Sequence, residues 1–254
     1  MTHPVRKLGL STKKDEDGRD IIEEVDVEQY AVSNQYFFLG IAVSARDSIN
    51  EHSTERETKS VAATSVVFSC TFLESGINAV IDSALLGNND ARISESGIRT
   101  LKILNDSHGG DVIAKLSGLE KYQILLSSIG VTPLAKGERI YQDADLLFRL
   151  RNSILHPKMY SYFPHEDGVK EYRSDRKLAQ ALSERFKFDD PINPTMGNPL
   201  ISCLTRECAT WSASISTRFW NHFLSLLPYG YDTDENGVAI LDVVPDKVTQ
   251  DQFR

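Results

Sequence analysis

The stretch "TERETKSVAATSVVFSCTFLESGINAVIDSALLG" (54–87) decides the fold. It reads as one long helix, opened by Thr54 and closed near Gly87. Val67, Cys70, Ile77 and Ile81 recur at helical spacing and line one face. Glu74 falls in the middle of that stripe. A carboxylate among apolar neighbours is costly unless a cation or amide faces it. Arg151, Asn152 or Asn78 is expected opposite it.

Outward from this helix the texture stays helical. The pattern predicts helices over 27–49, 93–105, 111–129 (ending at Gly130), 137–156 (meeting Pro157), 175–187 and 200–227 (closed by Pro228). Residues 157–174 and 193–199 read as loops, and only "GVAILDVV" (237–244) looks like strand. Residues 1–26 are polar, mixed in charge and without apolar period, as in a disordered arm. The expectation is an all-α bundle over 27–227, with that arm before it and an acidic tail, 228–254, after it that could form a small hairpin.

With 254 residues, 41% apolar and 25% charged, the chain has an ordinary globular composition and enough length for a sizeable core. No run of about 18 apolar residues occurs, so no membrane span is expected. No apolar h-region stands at the N-terminus, so secretion is not expected. Cys70, Cys203 and Cys208 have no CxxC spacing and fit core positions in a reducing cytoplasm. The net charge of −8 argues against wholesale coating of nucleic acid. The charge is uneven, however. Nine Lys/Arg stand against five Asp/Glu from Arg149 to Lys187, but two against six from Pro228 to Arg254. A local basic site therefore fits within an acidic protein.

The stretch "LLFRLRNSILHPK" (146–158) lies in that basic region. Ile140, Ala144, Leu147, Leu150 and Ile154 make an apolar stripe, and Arg151 lies at its edge. Asn152 and His156 are four apart and share a neighbouring face. Pro157 disfavours helix at the residue before it, so His156 is expected to end the helix. Carbonyls exposed there favour a protonated imidazole.

These residues resemble a family. "RNSILH" (151–156) on a late helix looks like the Rx4-6H signature of HEPN domains. The earlier "FLESGINAVID" (72–82) is similar to the glutamate-bearing helix that family often uses. "RDSINEH" (46–52) also fits the relaxed spacing. Arg151 is preferred because its helix is strongly apolar, ends at the histidine and follows the glutamate helix. The resemblance covers about residues 27–227 in helix order. It implies an α-helical bundle, commonly dimeric, and a metal-independent ribonuclease of the toxin–antitoxin or antiviral phage-defence kind. The chemistry is then intelligible. RNA supplies its own 2′-OH nucleophile, so cleavage needs a base, an acid and a cation for the phosphorane. His156 would move protons, Arg151 would hold the phosphate, Asn152 would orient either, and Glu74 would fix Arg151. One subunit offers one such histidine, so a homodimer with two His156 side chains meeting is expected. Some family members carry a tyrosine two residues after the histidine that a partner enzyme modifies. Lys158 stands there instead, with Tyr160 further on, so that form of control is not expected.

The following loop offers Tyr160, Tyr162, Phe163 and Tyr172 among Lys158, Lys170, Arg173 and Arg176. Interleaved aromatics and cations suit single-stranded RNA, while the plainer reading has the aromatics covering the bundle. "DTDENG" (232–237) opens like a calcium loop, but its twelfth position is Val243 where a glutamate is needed, and a hairpin turn fits better. His108 and His222 lack metal-ligand spacing. No phosphate-cradle or hydrolase motif occurs. No metal or cofactor is expected. The partners expected are RNA, a second copy of the chain and an antitoxin or other regulatory protein. A second function class is also open: a non-catalytic helical module that binds a partner protein or nucleotide and keeps Arg151 and Glu74 for structure.

Overall fold

A computed structural model describes residues 4–14, 20–30, 35–85, 93–106, 112–156, 173–188 and 199–227. Its body is all-α, as the periodicity predicts. The helices are α1 (Gln35–Ser48), α2 (Glu55–Leu85), α3 (Glu95–Asp106), α4 (Val112–Lys115), α5 (Gly118–Ser128), α6 (Arg139–Leu155), α7 (Arg173–Ser183), α8 (Pro199–Ser202) and α9 (Arg206–Leu226). Ahead of them the backbone pairs β1 (Pro4–Lys14) with β2 (Asp20–Tyr30) in an antiparallel ribbon. The sequence predicts a disordered arm over 1–26 and helix from residue 27. β-Branched residues at 21, 22, 25 and 27 favour strand. The register sets Arg6 opposite Glu28 and Lys14 opposite Asp20. The expected tail strand (237–244) and the turn at 232–237 lie outside the described residues.

α2 is the hub, packed by α1, α3, α5, α6 and α9. That position explains its composition. By length and composition, α2 is long and apolar enough to cross a membrane. Here Val66, Cys70, Phe72, Leu73, Ile77 and Ile81 are instead buried against its neighbours. Against α9 the contact is made of small residues. Ser65 Oγ donates to the Ala209 carbonyl at 3.2 Å, and Ser212 Oγ lies at 3.2 Å from Ser65 Oγ. Further along, Phe72 meets Trp220 edge-on at 5.8 Å between ring centroids. Tyr122 of α5 stands edge-on to Phe219 and Phe223, at 5.0 and 4.7 Å, and donates to the Leu73 carbonyl at 2.8 Å.

Two predicted helices are divided, each at a cap. The segment 111–129 breaks before Ser117, whose side chain accepts from Glu120 N while Glu120 Oε2 accepts from Ser117 N at 2.9 Å. This reciprocal pair starts α5 afresh. The segment 200–227 breaks before Thr205, whose Oγ1 accepts from Cys208 N at 3.2 Å and starts α9. Gly118, the first residue of α5, allows a close approach. A Cβ there would lie 2.7 Å from the Phe148 ring and 3.3 Å from Glu74 Cγ. The start of α5 is thereby seated on α2 and α6, beside the glutamate.

Candidate functional site

The carboxylate within the apolar stripe of α2 finds its partner on α6. Arg151 Nη2 donates to Glu74 Oε2 at 2.7 Å, with the two side chains 23% and 29% exposed. Of the three partners the sequence allowed, the guanidinium is the one that takes the carboxylate. Arg151 Nη1 donates to Asn152 Oδ1 at 2.9 Å. Arg151 Nε is enclosed and has no hydrogen-bond partner among the described residues. The planar fork is therefore held at two points, with its remaining Nη protons unspent.

α6 ends where the sequence predicts. His156 is the C-cap, at φ −124° and ψ 64°, and its backbone N–H donates to the Asn152 carbonyl at 2.9 Å. Asn152 and His156 are both exposed. The helix thus brings Glu74, Arg151 and Asn152 into one bonded chain and sets an exposed imidazole one turn beyond Asn152. The competing pair, Arg46 and His52, is differently placed. Arg46 is bonded to its neighbour Asp47 at 2.7 Å, and His52 lies in the turn after α1.

Cys70 stands one turn before Glu74 and contacts the Leu147 carbonyl, Sγ to O 3.7 Å. Burial pushes its thiol well above the usual range, opposed by Arg151 and reinforced by Glu74. It stays a neutral thiol and offers no thiolate nucleophile. One turn after Glu74, Asn78 Oδ1 accepts from Lys121 Nζ at 2.8 Å, and Lys121 is only 8% exposed. At the next turn Asp82 has its carboxyl raised by burial, an effect the Lys121 charge opposes. A polar line therefore runs along α2 from Glu74 to Asp82, with Arg151 and Lys121 facing it from α6 and α5.

No protein-family model matches this chain, and no curated protein or solved structure matches it either. The site's reading rests on its own geometry.

Of the predicted RNA contacts, Lys158, Tyr160 and Tyr162 lie outside the described residues. Arg173 opens α7, and Arg176 is exposed on its first turns. A second ionic centre went unpredicted. Asp143 of α6 accepts from Arg185 Nε at 2.5 Å, with both side chains 6% exposed, and also from Arg139 Nε at 3.2 Å. A signal for it existed. Asp143 lies three after Ile140 and four before Leu147, within the apolar stripe of α6, as Glu74 does within that of α2.

Proposed function

We propose that the chain is a metal-independent endoribonuclease of the HEPN kind, acting at Arg151 and His156, with RNA as substrate. The observation that carries this reading is the contrast at the end of α6. Arg151 is fixed by Glu74 and Asn152, while Asn152 and His156 face solvent. A fixed guanidinium can hold a phosphate without reorganising, and an exposed imidazole can reach the 2′-OH or the leaving 5′-oxygen. Attack by the 2′-oxygen on phosphorus expels the 5′-oxygen and leaves a 2′,3′-cyclic phosphate. Base and acid are both needed, and His156 of two copies would supply them across a two-fold axis.

A second reading has one observation in its favour. Two of Arg151's donors are spent within the chain and its Nε is enclosed, as in a pair that joins α2 to α6 for structure alone. The protein would then be a helical module that binds a partner protein or a nucleotide.

The two readings part in one assay. Purified protein, Arg151→Ala and His156→Ala are each incubated with cellular RNA in EDTA. The nuclease reading expects cutting by the wild type alone, with 2′,3′-cyclic phosphate ends. Cutting that survives both substitutions would place the activity elsewhere. A folded wild type that cuts nothing would leave the module.

A further inference from the structure

The outward side of α6 carries more than its last turn. Arg149, Asn152 and His156 follow at i, i+3 and i+7, and all three are exposed. They form a row on one face, rising about 10 Å along the axis from Arg149 to His156. That rise suits one or two nucleotide steps of an extended strand. Unlike Arg151, Arg149 is hardly engaged. Its one ionic partner among the described residues is Asp145, 3.6 Å away on the preceding turn, with the two side chains 48% and 46% exposed. So long and open a pair holds its arginine weakly. Asp145 lies on the same face, so the row changes sign there.

We infer that Arg149 binds a phosphate flanking the one attacked at His156, making the exposed face of α6 a short track for single-stranded RNA that ends at Asp145. The inference rests on the nuclease reading of Arg151 and His156, and it adds a residue which that reading does not use. Arg149 sits one turn before Asn152, the residue to which Arg151 is bonded. A strand laid along the face from His156 therefore passes Asn152 and meets Arg149 at the far end of the row. A phosphate displaces Asp145 readily, because the exposed pair contributes little. The acidic carboxylate repels the strand beyond that point, so the track holds one flanking phosphate rather than a long run.

The test uses the full chain and a 2′-O-methyl RNA tetranucleotide, which cannot be cut because it lacks the attacking hydroxyl. Affinity is measured by fluorescence anisotropy over a range of salt for wild type, Arg149→Gln and Asp145→Asn. Circular dichroism confirms that each is folded. The expected result is several-fold weaker binding by Arg149→Gln at low salt and a log–log salt slope shallower by about 0.7, the share of one phosphate contact on a single strand. Asp145→Asn is expected to bind more tightly. A wild-type slope in Arg149→Gln overturns the track, as does a folded wild type that binds no RNA. If the tetranucleotide binds and unmodified RNA is not cut, the nuclease reading fails, while the slope still decides Arg149.

Discussion

A single carboxylate sets what Arg151 can do. Glu74 accepts from one Nη and Asn152 from the other, so the guanidinium plane is fixed from two sides. Lysine in its place would bring the same charge without the planar fork. On the proposed nuclease reading, Arg151→Lys is therefore expected to lose cleavage by about 100-fold or more, as when a fixed donor to the developing oxyanion is removed. Glu74→Ala leaves the guanidinium without its anion in a site about three-quarters buried. It should lower stability by about 1.5–3 kcal/mol, the usual contribution of a hydrogen bond to a charged group. Glu74→Gln keeps an acceptor for Arg151 and should restore much of the stability and of the cleavage that alanine removes. Urea unfolding and cleavage rates on the same preparations check this. Cleavage undiminished in Glu74→Ala, alongside lost stability, would make the pair a structural strut and no more.

At the scale of elements, apolar period located most of the helices and local hydrogen bonding fixed their ends. The period continues across the junction before Ser117 without a break, so it predicts one helix over 111–129. The division into α4 and α5 follows from the Ser117–Glu120 box, which satisfies donors that a continuous helix would bond internally. The same box opens α2, where Glu57 Oε2 accepts from Thr54 N at 2.8 Å. In both boxes the backbone bond to the carboxylate, from Ser117 or Thr54, is the chief cause holding the glutamate below its usual range, with the side-chain bond second. A depressed folded-state value stabilises above the unfolded value and is lost as pH falls through the folded one. The carboxylate bonds of the boxes thus contribute near neutrality, weaken once pH drops below the ordinary glutamate range, and are gone below the folded values. Ser117→Ala should cost about 1 kcal/mol at neutral pH. That cost should persist in acid, because Oγ accepts from a backbone N–H that does not titrate, whereas the cost of Glu120→Ala should shrink there, as thermal melts at neutral and acid pH would show. An equal cost of Glu120→Ala at both would mean that its carboxylate does not hold α5. The site was legible on the same terms. Glu74 and Arg151 were both visible from one sequence because each departs from an apolar stripe. Lys121, 8% exposed and bonded to Asn78, was missed although it follows Gly118 by three and precedes Leu125 by four on the buried side of α5. A lysine there reads as a solvated charge until the neighbouring helix is in place.

For the whole molecule, the open question is what fixes α7 against the bundle. α7 is the next helix after α6 among the described residues and carries Arg173 and Arg176 on its first turns, so its placement sets where that stretch of backbone stands relative to the end of α6. Its apolar side buries Leu178, Ala179 and Leu182, and beyond it Phe186 packs on Trp211 of α9 at 5.4 Å. The polar anchor is Arg185, bonded at 2.5 Å to Asp143 in the interior. The sequence marks Asp143 within its stripe but does not name Arg185, 42 residues on in the turn after α7, as its partner. Removing one partner of a buried pair leaves an uncompensated charge, whereas replacing both by apolar groups need not. Arg185→Ala should therefore cost about 3 kcal/mol, the lower end for such a break, because Arg139 still reaches Asp143 from the surface. The double variant Asp143→Leu with Arg185→Met should recover most of that loss. Hydrogen exchange locates the effect: amides of α7 should exchange faster in Arg185→Ala, while those at the centre of α2 slow only with global unfolding. If α7 keeps its wild-type protection, its apolar face alone seats the helix, and the buried ion pair does not govern where Arg173 and Arg176 stand.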